Sequence, residues 1–283
     1  MVPSRDPAGR RGLGTPSYTL APMPVSYEVD GGVAVITLNR PEVLNAFDDD
    51  MGAEALRAVR HAADDEGVRC IVVTGAGRAF SSGEDLGALA DRYERGDVPG
   101  LGDTLLDRYN PLIRAIVSAP KPVVAAVNGV AAGAGASVAL ACDFRIASEH
   151  AKLVLAFVKV GLVPDSGAIW FLTKMVGAAK AWELSATGDP LAADRALELG
   201  LFNQVVAAGE FQETWRSFAA RLAQGPTKAY ALTKELLRAA QERSLEEELT
   251  LEVDAQSRAG RSEDHLEGVR AFLAKRAPRF KGR

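Results

Sequence analysis

Cysteine and histidine are scarce in this chain, which has two cysteines and three histidines among 283 residues. Cys70 and Cys142 each lie in or beside an apolar run, which favours core packing, and they lack the spacing of a metal site. His61, His150 and His265 have no neighbours that would make them metal ligands or members of a catalytic triad. The sequence therefore predicts neither a metal site nor histidine-based nucleophilic catalysis.

A basic excess and a long apolar run are also missing. Lys and Arg total 33 against 37 acidic residues, a net charge of −4, so we expect no nucleic-acid partner. No window reaches the roughly 18 apolar residues that a membrane span needs, so we expect no membrane partner either. Arg10-Arg11 is not followed by the apolar stretch of an export signal. We therefore expect the protein in the cytoplasm.

The patterning that is present divides the chain into three regions. Prolines cluster in the first region, buried-strand patterns occur in the second, and helical spacing dominates the third. We predict a flexible arm over residues 1–24, an α/β core over 25–209 and a helical oligomerisation region over 210–283. In the core, residues 78–89 are predicted to be a loop that passes into a helix. The helices of the third region are predicted over 210–224, 227–241, 244–257 and 262–275.

The segment Lys121–Asp143 is the most informative part of the chain. An apolar strand, Val123–Val127, is followed by the small residues Val130–Ala136 and then by a predicted helix, Ser137–Ala141. A strand–turn–helix of small residues exposes backbone N–H groups at a helix start, where they can hold a developing negative charge on oxygen. Equally, the small residues could serve only tight helix packing, and the residues alone leave both interpretations open. A dinucleotide motif is excluded because residue 138 is Val, where its third glycine would stand.

This segment resembles the enoyl-CoA hydratase/isomerase (crotonase) family, and so do several others. Within the family, the resemblance is greatest to members that isomerise 1,2-epoxyphenylacetyl-CoA in phenylacetate breakdown. It implies an α/β fold, a spiral of ββα units with C-terminal helices that mediate trimers, and hence a homotrimer or hexamer. The other matching segments are Leu38–Phe47, Gly77–Leu86, Val160–Gly167, Ala186–Val206 and Gly260–Arg283.

The resemblance implies an acyl-CoA thioester as substrate and no cofactor, with CoA present only as part of that substrate. In the family, two backbone N–H groups bind the thioester oxygen, and these donors correspond to Glu84 and Ala134. A Glu84 carboxylate close to an enolate would repel it, so the side chain must point away or be neutralised. The positions implied to bind the acyl-CoA are Leu44, Ala46, Ser82, Glu84, Asp85, Leu86, Gly133, Phe157, Phe272 and Lys275.

The acid–base groups indicate the reaction. Hydratases of the family use two glutamates, and the corresponding residues here, Ser137 and Phe157, cannot transfer a proton in that role. Asp165 falls where isomerases of the family carry a single acid, although it could equally cap the helix predicted over 167–176. Asp85 and Asp143 are interpreted as structural. One departure is that Ala168 and Ile169 stand where relatives have Gly and Thr, which leaves the acyl group open.

We therefore predict an acyl-CoA isomerase that works through a thioester enolate, with Asp165 as its single proton shuttle. Double-bond migration and ring-epoxide isomerisation both fit this chemistry. The alternatives are an enoyl-CoA hydratase that uses Asp165 with a recruited group, and a non-catalytic acyl-CoA-binding protein.

Overall fold

The computed structural model describes residues 23–98, 100–240 and 242–283. The predicted arm therefore lies outside the described residues, except for Met23 and Pro24. The strands are β1 Val25–Asp30, β2 Val33–Leu38, β3 Cys70–Gly75, β4 Ala79–Ser81, β5 Val123–Val127, β6 Val130–Ala132, β7 Phe144–Ser148, β8 Lys152–Val154, β9 Leu191–Ala192 and β10 Gln204–Val206. The helices are α1 Asp49–Asp64, α2 Ala90–Glu94, α3 Leu101–Thr104, α4 Asn110–Ser118, α5 Ala134–Ala141, α6 Ala168–Thr187, α7 Ala193–Glu198, α8 Phe211–Ala223, α9 Thr227–Ala239, α10 Leu245–Gly260 and α11 Glu263–Leu273.

Two sheets organise the core of the described residues. The larger has the order β1-β2-β3-β5-β7-β10, and all its pairs are parallel except the β1–β2 hairpin. The smaller has the order β4-β6-β8-β9, in which β4, β6 and β8 run parallel. In the units β3–β4, β5–β6 and β7–β8 the first strand joins the larger sheet and the second joins the smaller one, before a helix follows, whereas β1 and β2 both lie in the larger sheet. This is the predicted repetition of ββα units.

Local sequence signals explain the principal elements. Helix α1 begins where the Asp48 side chain accepts the Met51 N–H at 2.8 Å, with two further acids in its first turn. Strands β3 and β5 are buried along nearly their whole length because α1 and α4 cover one face of the larger sheet and α8 covers the other. Helix α8, which follows the predicted boundary at 209, therefore packs on the core through side chains such as Phe211 and Trp215.

Two predictions about local structure were wrong. Residues 79–81, predicted as loop, form β4. This strand has only three residues, too few to show a strand pattern in the sequence, and it is stabilised by pairing with β6 in the smaller sheet. Helix α5 begins at Ala134, three residues earlier than the predicted Ser137, because Gly133 adopts the positive φ of +51° that turns the chain into the helix. Helix α6, predicted over 167–176, begins at Ala168 after the left-handed Gly167, as predicted within one residue, and it continues past the non-helical Gly177 to Thr187.

The C-terminal helices occur where they were predicted, within about three residues at each end. Their last segment returns to the core, where Arg69 donates to the Phe280 carbonyl at 2.8 Å. The buried Asp264 accepts the N–H groups of Lys281 and Gly282 at 2.6 and 2.8 Å. None of the helices in the described part of the chain is long and apolar enough to cross a membrane.

Candidate active site

Topology brings three loops to one edge of the smaller sheet. Strands β4, β6 and β8 are parallel neighbours, so the segments after them emerge side by side. These segments are the loop from Ser82 to Leu86, the turn at Gly133 before α5, and residues 155–167, which include Asp165. In sheets of this kind, the edge at the carboxyl ends of parallel strands is where ligands bind.

Gly83 and Gly133-Ala134 lie in van der Waals contact. Gly83 has a φ of +94°, and a Cβ built on it would lie 2.9 Å from the Ala132 oxygen and 3.2 Å from the Ala134 nitrogen. Only glycine allows this approach. Gly135 is similarly close to Ser81, since its added Cβ would lie 2.5 Å from the Ser81 oxygen. The small residues thus permit tight packing and also join the two loops that were predicted to carry the backbone donors.

Both predicted donors have free N–H groups. Ala134 is the first residue of α5, a position whose N–H has no partner inside the helix. The Phe47 N–H donates to the Gly83 oxygen at 2.7 Å, and the Asp85 N–H donates to the Phe47 oxygen at 2.9 Å. These two bonds turn the Glu84 N–H away from Phe47. Among the described residues, neither the Glu84 nor the Ala134 N–H has an acceptor.

The Glu84 carboxylate is held by two residues that sequence reasoning missed. Arg108 Nη1 lies 2.9 and 2.8 Å from its two oxygens, and the Tyr109 O–H donates to Oε2 at 2.5 Å. Arg108 Nη2 also pairs with Asp49 on α1. Neutralisation by Arg108 is therefore one of the two arrangements that the sequence left open for Glu84. Both residues lie in a π-helical turn over Leu105–Tyr109 just before α4, and no local sequence pattern pairs them with Glu84.

Asp165 does not cap a helix. Its Oδ1 accepts the Ser166 O–H at 2.8 Å, whereas the helix start at Ala168 donates to the Asp165 backbone oxygen at 2.9 Å. That backbone oxygen also accepts the O–H of the buried Ser137 at 3.0 Å, which ties the Asp165 loop to α5. Burial raises the pKa of the Asp165 carboxyl, and the negative charge of Glu84 adds to the increase. The carboxyl therefore binds a proton more tightly than an exposed aspartate does.

The two positions of the hydratase glutamates hold no acid. Ser137 is buried on α5, and Phe157 is buried in the short 3₁₀ helix Ala156–Val160. Next to Asp165, Ala168 is fully buried whereas Ile169 is largely exposed. The methyl group of Ala168 therefore packs inside the fold, while the branched Ile169 reaches solvent.

The loop before α1 is fastened to the Ser82–Leu86 loop. Leu44 and Asn45 both have positive φ angles near +57°, and the Leu44 oxygen accepts the Ser82 N–H at 3.0 Å. The buried Asn45 donates to the Ala76 and Ala79 oxygens at 2.9 and 2.8 Å. Ala46 is buried between these contacts. The predicted binding positions Leu44, Ala46 and Ser82 therefore lie together, and Asn45 is the residue that joins them.

Asp85 and Asp143 make structural contacts. Asp85 accepts the Ala88 N–H at 3.0 Å and pairs with Arg40 at 2.9 Å, which closes the loop. Asp143 accepts the Val123 N–H at 2.8 Å and pairs with Lys234 at 2.6 Å.

The remaining predicted binding residues lie apart from this cluster or at its surface. Leu86 follows the donor loop and is exposed. Phe272 lies on α11, which packs against α10, and its side chain is 82% exposed. Lys275, just beyond α11, is also exposed and has a φ of +52°.

The chain matches known proteins along most of its length. A family model described as Enoyl-CoA hydratase/isomerase matches residues 28–283. The chain is 45% identical over 257 residues to a 1,2-epoxyphenylacetyl-CoA isomerase of Escherichia coli K12, covering 90% of this chain and 97% of the relative. It is also 45% identical over 259 residues to a Rhodobacter capsulatus protein named “Probable enoyl-CoA hydratase”, covering 92% and 98%.

Solved structures show the same fold. The crystal structure of an enoyl-CoA hydratase from Polaromonas sp. JS666 superposes with a TM-score of 0.85 at 35% identity, covering 90% of this chain and 99% of that one. The alignment thus extends over the two sheets and most of the helical region. From the family model, the relatives and the shared fold together, the chain belongs to the enoyl-CoA hydratase/isomerase (crotonase) family.

Proposed function

We propose that this family member is an acyl-CoA isomerase in which Asp165 is the single proton shuttle. One observation carries the proposal: Asp165 is a part-buried carboxyl that caps no helix and lies on a loop beside the paired donor loops. Its raised proton affinity suits a group that must both remove and return a proton. Ser137 and Phe157, at the hydratase positions, offer no competing acid.

The proposed reaction uses backbone and side chain together. With a 3-enoyl-CoA, the Asp165 carboxylate takes a proton from C2, and the electrons shift to leave a dienolate oxygen. The free N–H groups of Glu84 and Ala134 bind that oxygen. Preorganised donors of this type are each worth ~3–4 kcal/mol at a developing oxyanion. Protonated Asp165 then returns the proton to C4, which gives the 2-enoyl-CoA with no cofactor beyond the CoA of the substrate.

A ring epoxide is a second acyl group that this site could isomerise. The E. coli relative carries the name 1,2-epoxyphenylacetyl-CoA isomerase, and its 45% identity supports the same substrate class, and phenylacetate breakdown as the pathway, for this chain. We further infer that the active assembly is a trimer or a dimer of trimers, in which a neighbouring subunit brings Phe272 and Lys275 to the nucleotide.

Hydration is the rival activity, and one observation favours it. Glu84 is a second carboxylate whose charge reaches Asp165, so the two acids could hold a water between them. However, both Glu84 oxygens already accept from Arg108, and Oε2 also accepts from Tyr109, so the carboxylate is engaged before any water binds. We therefore rank hydration below isomerisation.

Two substrates separate the alternatives. We expect the protein to convert 3-hexenoyl-CoA to 2-hexenoyl-CoA. The conversion is measured by the increase in absorbance of the conjugated enoyl thioester. With crotonyl-CoA, we expect little loss of that absorbance. Rapid hydration of crotonyl-CoA without isomerisation would favour the hydratase, and binding without turnover of either compound would favour a non-catalytic protein.

A further inference from the structure

Arg108 and Tyr109 are consecutive residues that both reach Glu84. In an α-helix, consecutive side chains diverge by about 100°. Here both side chains nevertheless contact one carboxylate, from a π-helical turn over Leu105–Tyr109. π-Turns of this kind often occur at functional sites.

The contacts continue from Glu84 to the backbone around it. The Tyr109 ring is buried and lies edge-on to Phe47, with 5.8 Å between ring centres. The Phe47 backbone is hydrogen-bonded to both neighbours of Glu84: its N–H donates to the Gly83 oxygen, and its oxygen accepts the Asp85 N–H. Tyr109 therefore holds the Glu84 side chain, Phe47 holds the peptide groups on either side of Glu84, and the two rings pack on each other.

Arg108 is held on its other side by α1. Its Nη2 pairs with Asp49, and its stem crosses α1 at Gly52. A Cβ at residue 52 would overlap the Arg108 stem, with Cδ only 2.6 Å away. The absence of a side chain at Gly52 thus leaves the space that the Arg108 side chain occupies as it extends to Glu84.

We propose that Arg108 and Tyr109 form a clamp on the Glu84 carboxylate and thereby position the Glu84 N–H for the enolate. The side chains of Arg108, Tyr109 and Glu84 are then positioning residues. This proposal rests on the enolate chemistry proposed above. The clamp does two things. It fixes the peptide whose N–H binds the oxyanion, and it supplies a positive charge that offsets a carboxylate standing next to the enolate. Burial and the charge of Glu84 raise the pKa of Tyr109, so its hydroxyl stays a donor.

The clamp can be tested with Arg108→Met, using Arg114→Met as the matched control, since Arg114 is exposed on the following helix. The readouts are kcat and KM for 3-hexenoyl-CoA, the near-ultraviolet absorbance of the acetoacetyl-CoA enolate bound to the protein, and the thermal midpoint. For Arg108→Met, we expect kcat to fall by about 10- to 100-fold, the range reached when a reacting group is misplaced by about 1 Å. KM should change little and the enolate absorbance should decrease, whereas Arg114→Met should behave as wild type.

A double variant distinguishes the clamp from a general structural role. In a double-mutant cycle with Glu84→Ala, which removes the clamped side chain, Arg108→Met should cause little further loss of kcat or enolate absorbance. Tyr109→Phe should lower both in the same direction. If Arg108→Met fails to fold, Gly52→Ala is the alternative variant, because the added methyl group displaces the Arg108 stem from a position outside the site. Alanine favours the helix more than glycine does, so a lower kcat in this variant would not result from a weakened helix.

Two results would overturn the clamp. One is a folded Arg108→Met protein with wild-type kcat and enolate absorbance. The other is an Arg108→Met effect as large in the Glu84→Ala background as in the wild type, because the loss would then run through Asp49 and not through Glu84. Failure of the isomerase proposal would look different: wild-type protein would not isomerise 3-hexenoyl-CoA, yet the enolate absorbance would still report whether the clamp acts.

Discussion

At the scale of single residues, Asp165 combines a part-buried carboxyl with one side-chain hydrogen bond, from Ser166. The Ser166 hydrogen bond favours the ionised carboxylate, but burial and the charge of Glu84 outweigh it and raise the pKa of Asp165. A raised pKa lowers stability at neutral pH but suits a group that exchanges protons. Ser137, which replaces an acid of the hydratases, instead holds the Asp165 backbone oxygen.

Asp165→Asn preserves the shape of this side chain and removes its proton transfer. We expect isomerase turnover to fall by ~10²–10⁴-fold. Because the pKa of Asp165 is raised in the folded state, the ionised carboxylate lowers stability at neutral pH, and the variant should have an unchanged or larger free energy of unfolding. Steady-state kinetics and denaturant unfolding measure the two effects. Full activity in the asparagine variant would refute the shuttle.

The pH dependence of the reaction should reflect the same residue. A base must be ionised, so kcat/KM should decline as the pH falls through the pKa of Asp165, at a higher pH than for an exposed aspartate. Glu84→Gln removes one cause of the increase, and Gln can still accept from Arg108 and Tyr109. We therefore expect the acidic limb of the profile to move to lower pH in Glu84→Gln. An unmoved limb would show that Asp165 does not sense Glu84.

At the scale of elements, the start of α5 supplies a free N–H through its position in the helix and not through a side chain. Proline is tolerated at the first position of a helix, and it removes that N–H. We expect Ala134→Pro to keep the fold, as judged by circular dichroism, and to lose nearly all turnover. Ala134→Gly, which keeps the N–H, is the control. Normal activity in a folded proline variant would exclude Ala134 as a donor.

At the scale of the whole molecule, the C-terminal helices leave an apolar stripe uncovered in one chain. Leu245, Leu249 and Val253 lie at i, i+4 and i+8 on α10, and Leu245 and Val253 are 70% and 68% exposed. Such a stripe is typical of a surface that a partner covers. Together with the exposed Phe272, it favours the proposed assembly.

Light scattering can test this assembly. We expect the wild-type protein to be a trimer or hexamer at micromolar concentration, and Val253→Asp to shift it toward smaller species because a charge then enters the interface. Thr250→Asp, on another face of α10, should leave the mass unchanged. A wild-type monomer would contradict the proposal.

Much of the fold followed from sequence because its signals are local. The continuous apolar runs at Cys70–Thr74 and Val123–Val127 predicted buried strands, and helical spacing predicted the C-terminal helices. The family also followed from sequence, since its motifs occur in order along the chain, and the match over residues 28–283 confirmed it. Short strands such as β4 did not follow, because they are held by a partner strand and not by their own residues.

The site was decided at both levels. The sequence by itself, through its resemblance to the family, indicated the candidate residues: a single acid at 165, no acid at 137 or 157, and glycines in the two loops predicted to carry the donors. Only the tertiary structure decided how they are used. It placed Gly83 against Ala134, left Asp165 free of helix capping, and brought Arg108 and Tyr109 to Glu84 across 24 and 25 residues of chain. Contacts between distant residues depend on how strands pair and helices pack, and no local pattern encodes them.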